Sequence, residues 1–399
     1  MLEKYDLIIL GAGITGLSVA REAIQTNSDC KILVIEKERK IGMHGSGRNS
    51  GVLHSGIYYP TDTLKAKFCA EGSVLMSIYC KENNLPILRC GKVILPTKIE
   101  DESQIDVLHE RGTRNGASVK IISQEELNEI EPEAKTFSGR ALYSPNTSVV
   151  DPHAILNQVK FDLERSGVTI LFNERVILAD PDASTVETNK KNSFKYGHLI
   201  NCTGQYSDVV SKIFNVGRQY TLLPFKGLYY GLSKFSNIKL NGLIYPVPDL
   251  NVPFLGIHSV KLVDGNVYFG PTAIPAFGRE HYKGFKGINI KDATSISYHL
   301  LRQYISNKQG FKSYTHQEMH RFLKKEFLKS MQSLIPRLSS SDLVESQKVG
   351  IRAQLLDTKR NELVMDFVVE RVNNTTHVLN AVSPAFTSAF SFAKYILNK

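Results

Sequence analysis

The run YDLIILGAGITGLSVAREAI, residues 5–24, decides the architecture. It begins as a short apolar strand of the kind covered on both faces, and changes to helical periodicity after a pair of glycines. Between the two lies a G-x-G-x-x-G. Gly11 allows the tight turn, Gly13 lets the backbone reach a pyrophosphate, and Gly16 permits close packing of helix on strand. The helix N-terminus adds N–H donors and the positive end of its dipole. A second buried run, KILVIEK, ends at Glu36 and Lys37, about 20 residues past Gly16, where an acid binds ribose hydroxyls. Strand, helix, strand and terminal acid, all in register, read as a dinucleotide site.

Outward from this core, YGHLINCTG (196–204) is another apolar strand that closes on Thr203 and Gly204 and leads into a helix-like YSDVVSKIF. HGSGRNSGVLHSGIYYP (44–60) packs four glycines and four serines or asparagines around Arg48 and His54. Such a run makes a poor helix and leaves its backbone free to approach something closely. A nicotinamide enzyme needs no such loop, whereas a flavoenzyme lays it across the pyrophosphate and along the isoalloxazine ring.

Composition agrees with an enzyme of this kind. The 399 residues, 42% apolar and 22% charged, suffice for two domains or one with a large insertion. The first apolar run is too short for a secretory or membrane-spanning segment. Five scattered cysteines contain no C-x-x-C pair, so neither a disulfide framework nor a metal site is indicated and a cytoplasmic location is expected.

Several stretches resemble one family. SGRNSGVLHSGIYYPTDTLKAKFCAEG, YPVPDLNVPFLGIHSVKLVDGNVYFGPTA and VGIRAQ are similar to the L-2-hydroxyglutarate dehydrogenases (oxidases), within the FAD-dependent superfamily of D-amino-acid and glycerol-3-phosphate oxidases. The resemblance implies an α/β fold: a Rossmann-like FAD-binding domain assembled from 1–82, 147–217 and 348–399, and a substrate domain, mainly antiparallel sheet, from 83–146 and 218–347. It implies non-covalent FAD held by Gly11, Gly13, Gly16, Glu36, Lys37, Arg48, Asn49, Ser50, Gly51, Val176, Thr203, Gly204, Arg352, Ala385, Phe386 and Thr387. SPAFTSAFSFAKYI departs from the family in carrying Phe386 and Phe390 where smaller side chains are expected.

Oxidation of a 2-hydroxy acid needs a base for the hydroxyl proton, and an imidazole titrates near working pH. His54 is assigned that role, with His258 as its rival. Arg352 lies where relatives place an arginine for the substrate carboxylate, its planar fork suiting bidentate binding. Tyr58, Tyr59, Lys226 and Arg279 are further candidates for a 2-hydroxy dicarboxylate. A glycerol-3-phosphate oxidase, an amino-acid oxidase and a non-catalytic flavin protein are the alternatives.

Residues 283–337 carry eleven Lys or Arg against three acids, most of the net charge of +10. Thr315 and Glu318 match a capping box, with Met319, Phe322, Leu323, Phe327, Met331 and Leu334 recurring behind them at helical spacing. Either this is a helical cap packed on the sheet, or a basic amphipathic surface resting on the inner face of a membrane, where electrons pass to a quinone. No nucleic-acid module accompanies the charge.

Overall fold

In the computed structural model, which describes residues 2–398, the opening run forms the strand Glu3–Leu10 and the helix Ile14–Thr26. The strand is the middle of a parallel sheet, with Ile32–Ile35 on one side and Ser193–Asn201 on the other. Thr169–Leu171 and Thr375–Val378 continue it outward, also in parallel. Leu7 and Ile9 face an apolar layer with Leu17, Met76 and Phe392, while Ile8 and Leu10 face a second with Val210 and Phe214. Cover on both faces is why the strand reads as an apolar run rather than an alternation. The glycines close the turn: a Cβ on Gly11, at φ +100°, would stand 2.7 Å from the Cys202 carbonyl oxygen, and one on Gly16 would stand 2.0 Å from the carbonyl oxygen of Gly11.

The second domain is built on two long antiparallel strands, Tyr220–Leu232 and Leu343–Asp357, paired from Tyr220 opposite Asp357 to Leu232 opposite Leu343. The hairpin of His258–Lys261 and Val267–Gly270 extends this sheet, its turn falling in the VDGN stretch. A smaller sheet runs in the order Leu243–Pro246, Lys92–Leu95, Arg140–Ser144, Lys120–Ser123. The fold therefore joins a Rossmann-like parallel layer to mainly antiparallel sheets. Leu343–Asp357 passes unbroken through residue 348, where the sequence reading starts a flavin segment. Its backbone belongs to the antiparallel sheet, and the same strand carries Gly350–Ala353 to the domain boundary.

The basic segment forms three helices, Ile290–Ser306, Phe311–Arg321 and Lys324–Gln332. The Thr315 capping box is absent. The second helix begins four residues earlier, after Gly310 in the left-handed region, and Thr315 Oγ1 donates to the Phe311 carbonyl at 2.7 Å. Glu318 instead accepts from Ala273 N and from Arg321, each at 2.6 Å. A T-x-x-E spacing also places both side chains on one helix face, so the pattern does not distinguish cap from interior. The apolar stripe is divided as well. Leu323 is extended and starts the third helix, so Phe327, Met331 and Leu334 turn into the core with Phe269 and Ile244, while Met319, Phe322 and Leu323 stay exposed.

This division gives unequal costs. Phe327→Ala should lower stability by about 3–5 kcal/mol, and Met319→Ser should change it by less than about 0.5 kcal/mol. Denaturant midpoints measure both, and a comparable loss from the two substitutions would contradict the split stripe.

Candidate active site

A cavity of about 740 Å³ lies between the domains. Gly11, Gly13, Glu36, Lys37, Arg48, Asn49, Ser50, Val176, Thr203 and Gly204 line it, as do Ala385, Phe386 and Thr387. The Glu36 carboxylate is held by the backbone, accepting from Ala12 N at 2.8 Å and from Glu38 N at 2.9 Å. Gly13 caps the first helix without a side-chain partner, and the exposed helix start is met by Ser46, whose Oγ accepts from Ile14 N at 2.9 Å. Gly16 and Gly51 do not line the cavity. Both are packing positions, and a Cβ on Gly51 would stand 2.2 Å from the Val150 carbonyl oxygen. Arg48 ties the glycine loop to the long substrate strand by donating to the carbonyls of Met43 and Val349. Phe390 turns into the core edge-on to Tyr79, so only Phe386 of the two unusual phenylalanines reaches the cavity.

His54, His258, Arg352, Tyr229 and Tyr245 form the other end. The His54 backbone is pinned on both sides: its N–H donates to Thr387 Oγ1 at 3.2 Å, and its carbonyl accepts from the Cys69 thiol at 3.3 Å. Its ring atom Nδ1 is enclosed without a partner. His258 Nδ1 lies 2.8 Å from the Gly256 carbonyl; a carbonyl only accepts, so Nδ1 carries the proton and Nε2 is the accepting nitrogen. Burial, then Lys92, His258 and Arg352, pull His54 down to about 3. Burial also takes His258 to about 3, against the opposing bond to Gly256. The sequence reading places the His54 imidazole near working pH; in this cationic, dry setting it is instead firmly neutral. Proton acceptance is thereby open to it at any physiological pH, and an anion brought against Arg352 opposes part of the depression.

The remaining candidates lie elsewhere. Lys226 sits outside the cavity lining, 3.5 Å from His281 Nε2, because strand alternation turns Gly227 and Tyr229 inward instead. Tyr58 and Tyr59 stand behind the cavity wall, packed with Tyr245. Arg279 lines the cavity, but its fork is committed to Asp208, at 2.8 and 2.9 Å, and to the Gln205 carbonyl. It anchors a strap of the second domain that crosses onto the first. Within that strap Glu280 accepts from Lys37 at 2.6 Å and Tyr206 at 2.7 Å, and the Tyr282 hydroxyl lies 2.8 Å from His44 Nδ1. Glu38, His44 and Glu280 gather closely enough to suggest a cation site, yet the Lys37 ammonium contacts all three and is their counter-ion. Ser46, Tyr229, Tyr245, Glu280 and Tyr282 are not among the site residues read from the sequence, although Ser46 lies within the glycine-serine loop and Tyr245 opens the YPVPDLN stretch.

Arg279→Met should therefore act on stability. Leaving the Asp208 carboxylate buried and unpaired costs about 3–5 kcal/mol, and a second change, Asp208→Asn, should recover part of the lost thermal midpoint. An effect confined to KM would return Arg279 to substrate binding.

A cavity lined by the start of the first helix, a backbone-held acid and a glycine-serine loop fits a flavin dinucleotide. The family model described as FAD dependent oxidoreductase matches residues 6–398. The chain is 36% identical to a mitochondrial L-2-hydroxyglutarate dehydrogenase of Nematostella vectensis, over 100% of this chain and 90% of that one. It is also 36% identical to an L-2-hydroxyglutarate dehydrogenase of Indibacter alkaliphilus, over 97% and 96%. Among solved structures, the dithionite-reduced L-α-glycerophosphate oxidase of Mycoplasma pneumoniae with FAD bound superposes with a TM-score of 0.76 at 21% identity, covering 100% of this chain and 94% of that one. The chain belongs to the FAD-dependent oxidoreductase family, and within it to the L-2-hydroxyglutarate dehydrogenases.

Proposed function

We propose that this FAD-dependent enzyme oxidises L-2-hydroxyglutarate to 2-oxoglutarate, with His54 as base and Arg352 as the clamp for the carboxylate next to the reacting carbon. The observation that carries the reading is the end of the cavity itself: two neutral buried imidazoles beside an arginine that has no carboxylate partner among the described residues. Bound FAD, retained without a covalent link, supplies the acceptor for the hydride that leaves C2. The chain supplies the rest. His54, fixed through its backbone by Thr387 and Cys69, takes the hydroxyl proton. His258 Nε2 accepts from the same hydroxyl and orients it, because its Nδ1–H is spent on Gly256. The guanidinium fork of Arg352 fixes the carboxylate, which sets the face of C2 that is presented.

Stopped-flow flavin reduction tests these roles. His54→Ala should slow reduction 10²–10⁴-fold while flavin content is kept, and Arg352→Lys should mainly raise KM, since the charge stays and the fork is lost. The L-enantiomer should react far faster than the D. Because His54 is already neutral in the free enzyme, its kcat/KM should hold down to about pH 5.5 instead of falling below the ordinary imidazole range. Reduction at the parent rate in His54→Ala would remove it as base and promote His258.

The acceptor that reoxidises the enzyme is a membrane quinone or oxygen, and the surface of the basic segment favours the former. No helix among the described residues is long and apolar enough to cross a membrane. Ile290 is 84% exposed and Ile305 73%, with Leu301, Met319, Phe322 and Leu323 also open to solvent. Lys291, Arg302, Lys308, Lys312, Lys324 and Lys325 belong to the same segment. Exposed apolar side chains and cations in one segment suit an anionic lipid surface. The protein should sediment with anionic vesicles at low salt and detach as ionic strength rises, exposed charges being screened within about 10 Å at 0.1 M. Equal recovery with neutral and anionic vesicles would leave the segment as a cap.

A further inference from the structure

A lysine at the domain boundary has no hydrogen-bond or ionic partner among the described residues. Lys92 opens the strand Lys92–Leu95, whose four residues are all buried, and it is itself 1% exposed. Its Nζ makes no hydrogen bond. Two aromatic rings attend it, with centroids 4.6 Å away at Tyr58 and 5.3 Å away at Tyr245. The Tyr58 hydroxyl is likewise enclosed and unpartnered. Tyr245 in turn stacks on His258, with centroids 3.8 Å apart, and these two rings are part of the cavity wall beside His54 and Arg352. Two unused donors, one of them cationic, thus stand immediately behind the wall at the substrate end.

A lone buried ammonium is costly, and chains rarely keep one without a reason. Other enclosed cations have acids at hand: Arg279 meets Asp208 and the half-buried Arg321 meets Glu318, while Lys65, 5% exposed, lies over the Tyr59 and Phe367 rings within the field of Asp366. Lys92 and Arg352 meet no carboxylate among the described residues. Two cations without acids, together with a free hydroxyl donor, are complementary to a ligand that brings two carboxylates.

We propose that Lys92, assisted by the Tyr58 hydroxyl, binds the second carboxylate of the substrate, the one remote from the oxidised carbon, and so selects dicarboxylic 2-hydroxy acids over monocarboxylic ones. This deepens the L-2-hydroxyglutarate reading and rests on it. The chemistry is consistent throughout. Arg352 holds the near carboxylate; Lys92 and Tyr58 lie outside the cavity lining, so the Tyr245 ring between them must turn aside for the far carboxylate to reach the amine. The two tyrosine faces stabilise the ammonium until the ligand arrives. Burial holds the Tyr58 hydroxyl in its protonated, donating form. Burial also pulls the amine of Lys92 down to about 7, and a carboxylate beside it restores the charged form. Lys92 moves no proton of the reaction; its part is to distinguish one acid from another.

The test compares L-2-hydroxyglutarate with L-2-hydroxybutyrate in the parent and in Lys92→Met, which keeps the length of the side chain and removes its charge. The preference for the dicarboxylate, as a ratio of kcat/KM values, should fall roughly a hundredfold. Tyr58→Phe should reduce it in the same direction by less. Glutarate, which cannot be oxidised, gives a binding readout through its perturbation of the flavin spectrum, and its affinity should drop in Lys92→Met much more than that of butyrate. The ligand-free thermal midpoint of Lys92→Met should match or exceed the parent's, because a buried unpaired charge has been removed; a merely structural lysine would lower it. Equal losses on both acids, or an unchanged preference in both variants, would overturn the proposal. A parent enzyme indifferent to L-2-hydroxyglutarate would overturn the substrate reading instead, while a selective loss of glutarate binding would still support the dicarboxylate subsite.

Discussion

The closure of the backbone at Gly11 is the constraint on which the rest of the site depends. Its carbonyl lies where a side chain on Gly16 would be, and its α-carbon lies against Cys202, one residue past the end of the neighbouring strand. Three elements therefore meet with no side chain between them. That contact aims the start of the first helix at the cavity and brings Thr203 and Gly204 alongside it. Glu36 completes the arrangement because its carboxylate is fixed by Ala12 N–H, one residue past the same turn. A bulkier residue at Gly11 would separate helix from sheet and misplace every later element of the cofactor site.

The substrate end follows a different logic, that of charge in a dry place. The first domain provides His54 from a loop whose small residues leave it room, and the second provides His258 and Arg352 from one antiparallel sheet. Withdrawal from water keeps both imidazoles neutral, and the nearby cations reinforce it. The pocket is thus cationic overall while its bases remain able to take a proton, a combination suited to an acidic substrate that must lose one. Arg279, by contrast, is as buried as a substrate arginine needs to be but is already neutralised by Asp208. The same residue type is left without an acid in one place and neutralised by one in the other, and the partner distinguishes them.

Much of this was legible in the chain. Residues 5–37 reveal strand, turn, helix and acid because each depends on local geometry: burial on both faces gives a continuous apolar run, and a close backbone approach demands glycine. The glycine-serine loop around His54 is equally readable, since its composition makes a poor helix and leaves the backbone free for close approach. The charge of 283–337 is plain, but not which face of its helices meets the core. Spacing alone gives Met319 and Phe327 the same stripe, and a break at Leu323 sends them opposite ways.

What the sequence determined by itself was the cofactor class, the parallel layer and the glycine-serine loop that carries His54, all of them encoded by residues close together in the chain. What only the tertiary structure decided was which polar groups have partners. Arg279 and Asp208 are 71 residues apart, and Lys92 opens an apolar strand with no nearby sign that its amine lacks a partner. Pairing is a property of the space between distant segments: a buried charge is satisfied or unsatisfied according to what packs against it, and no local pattern records that.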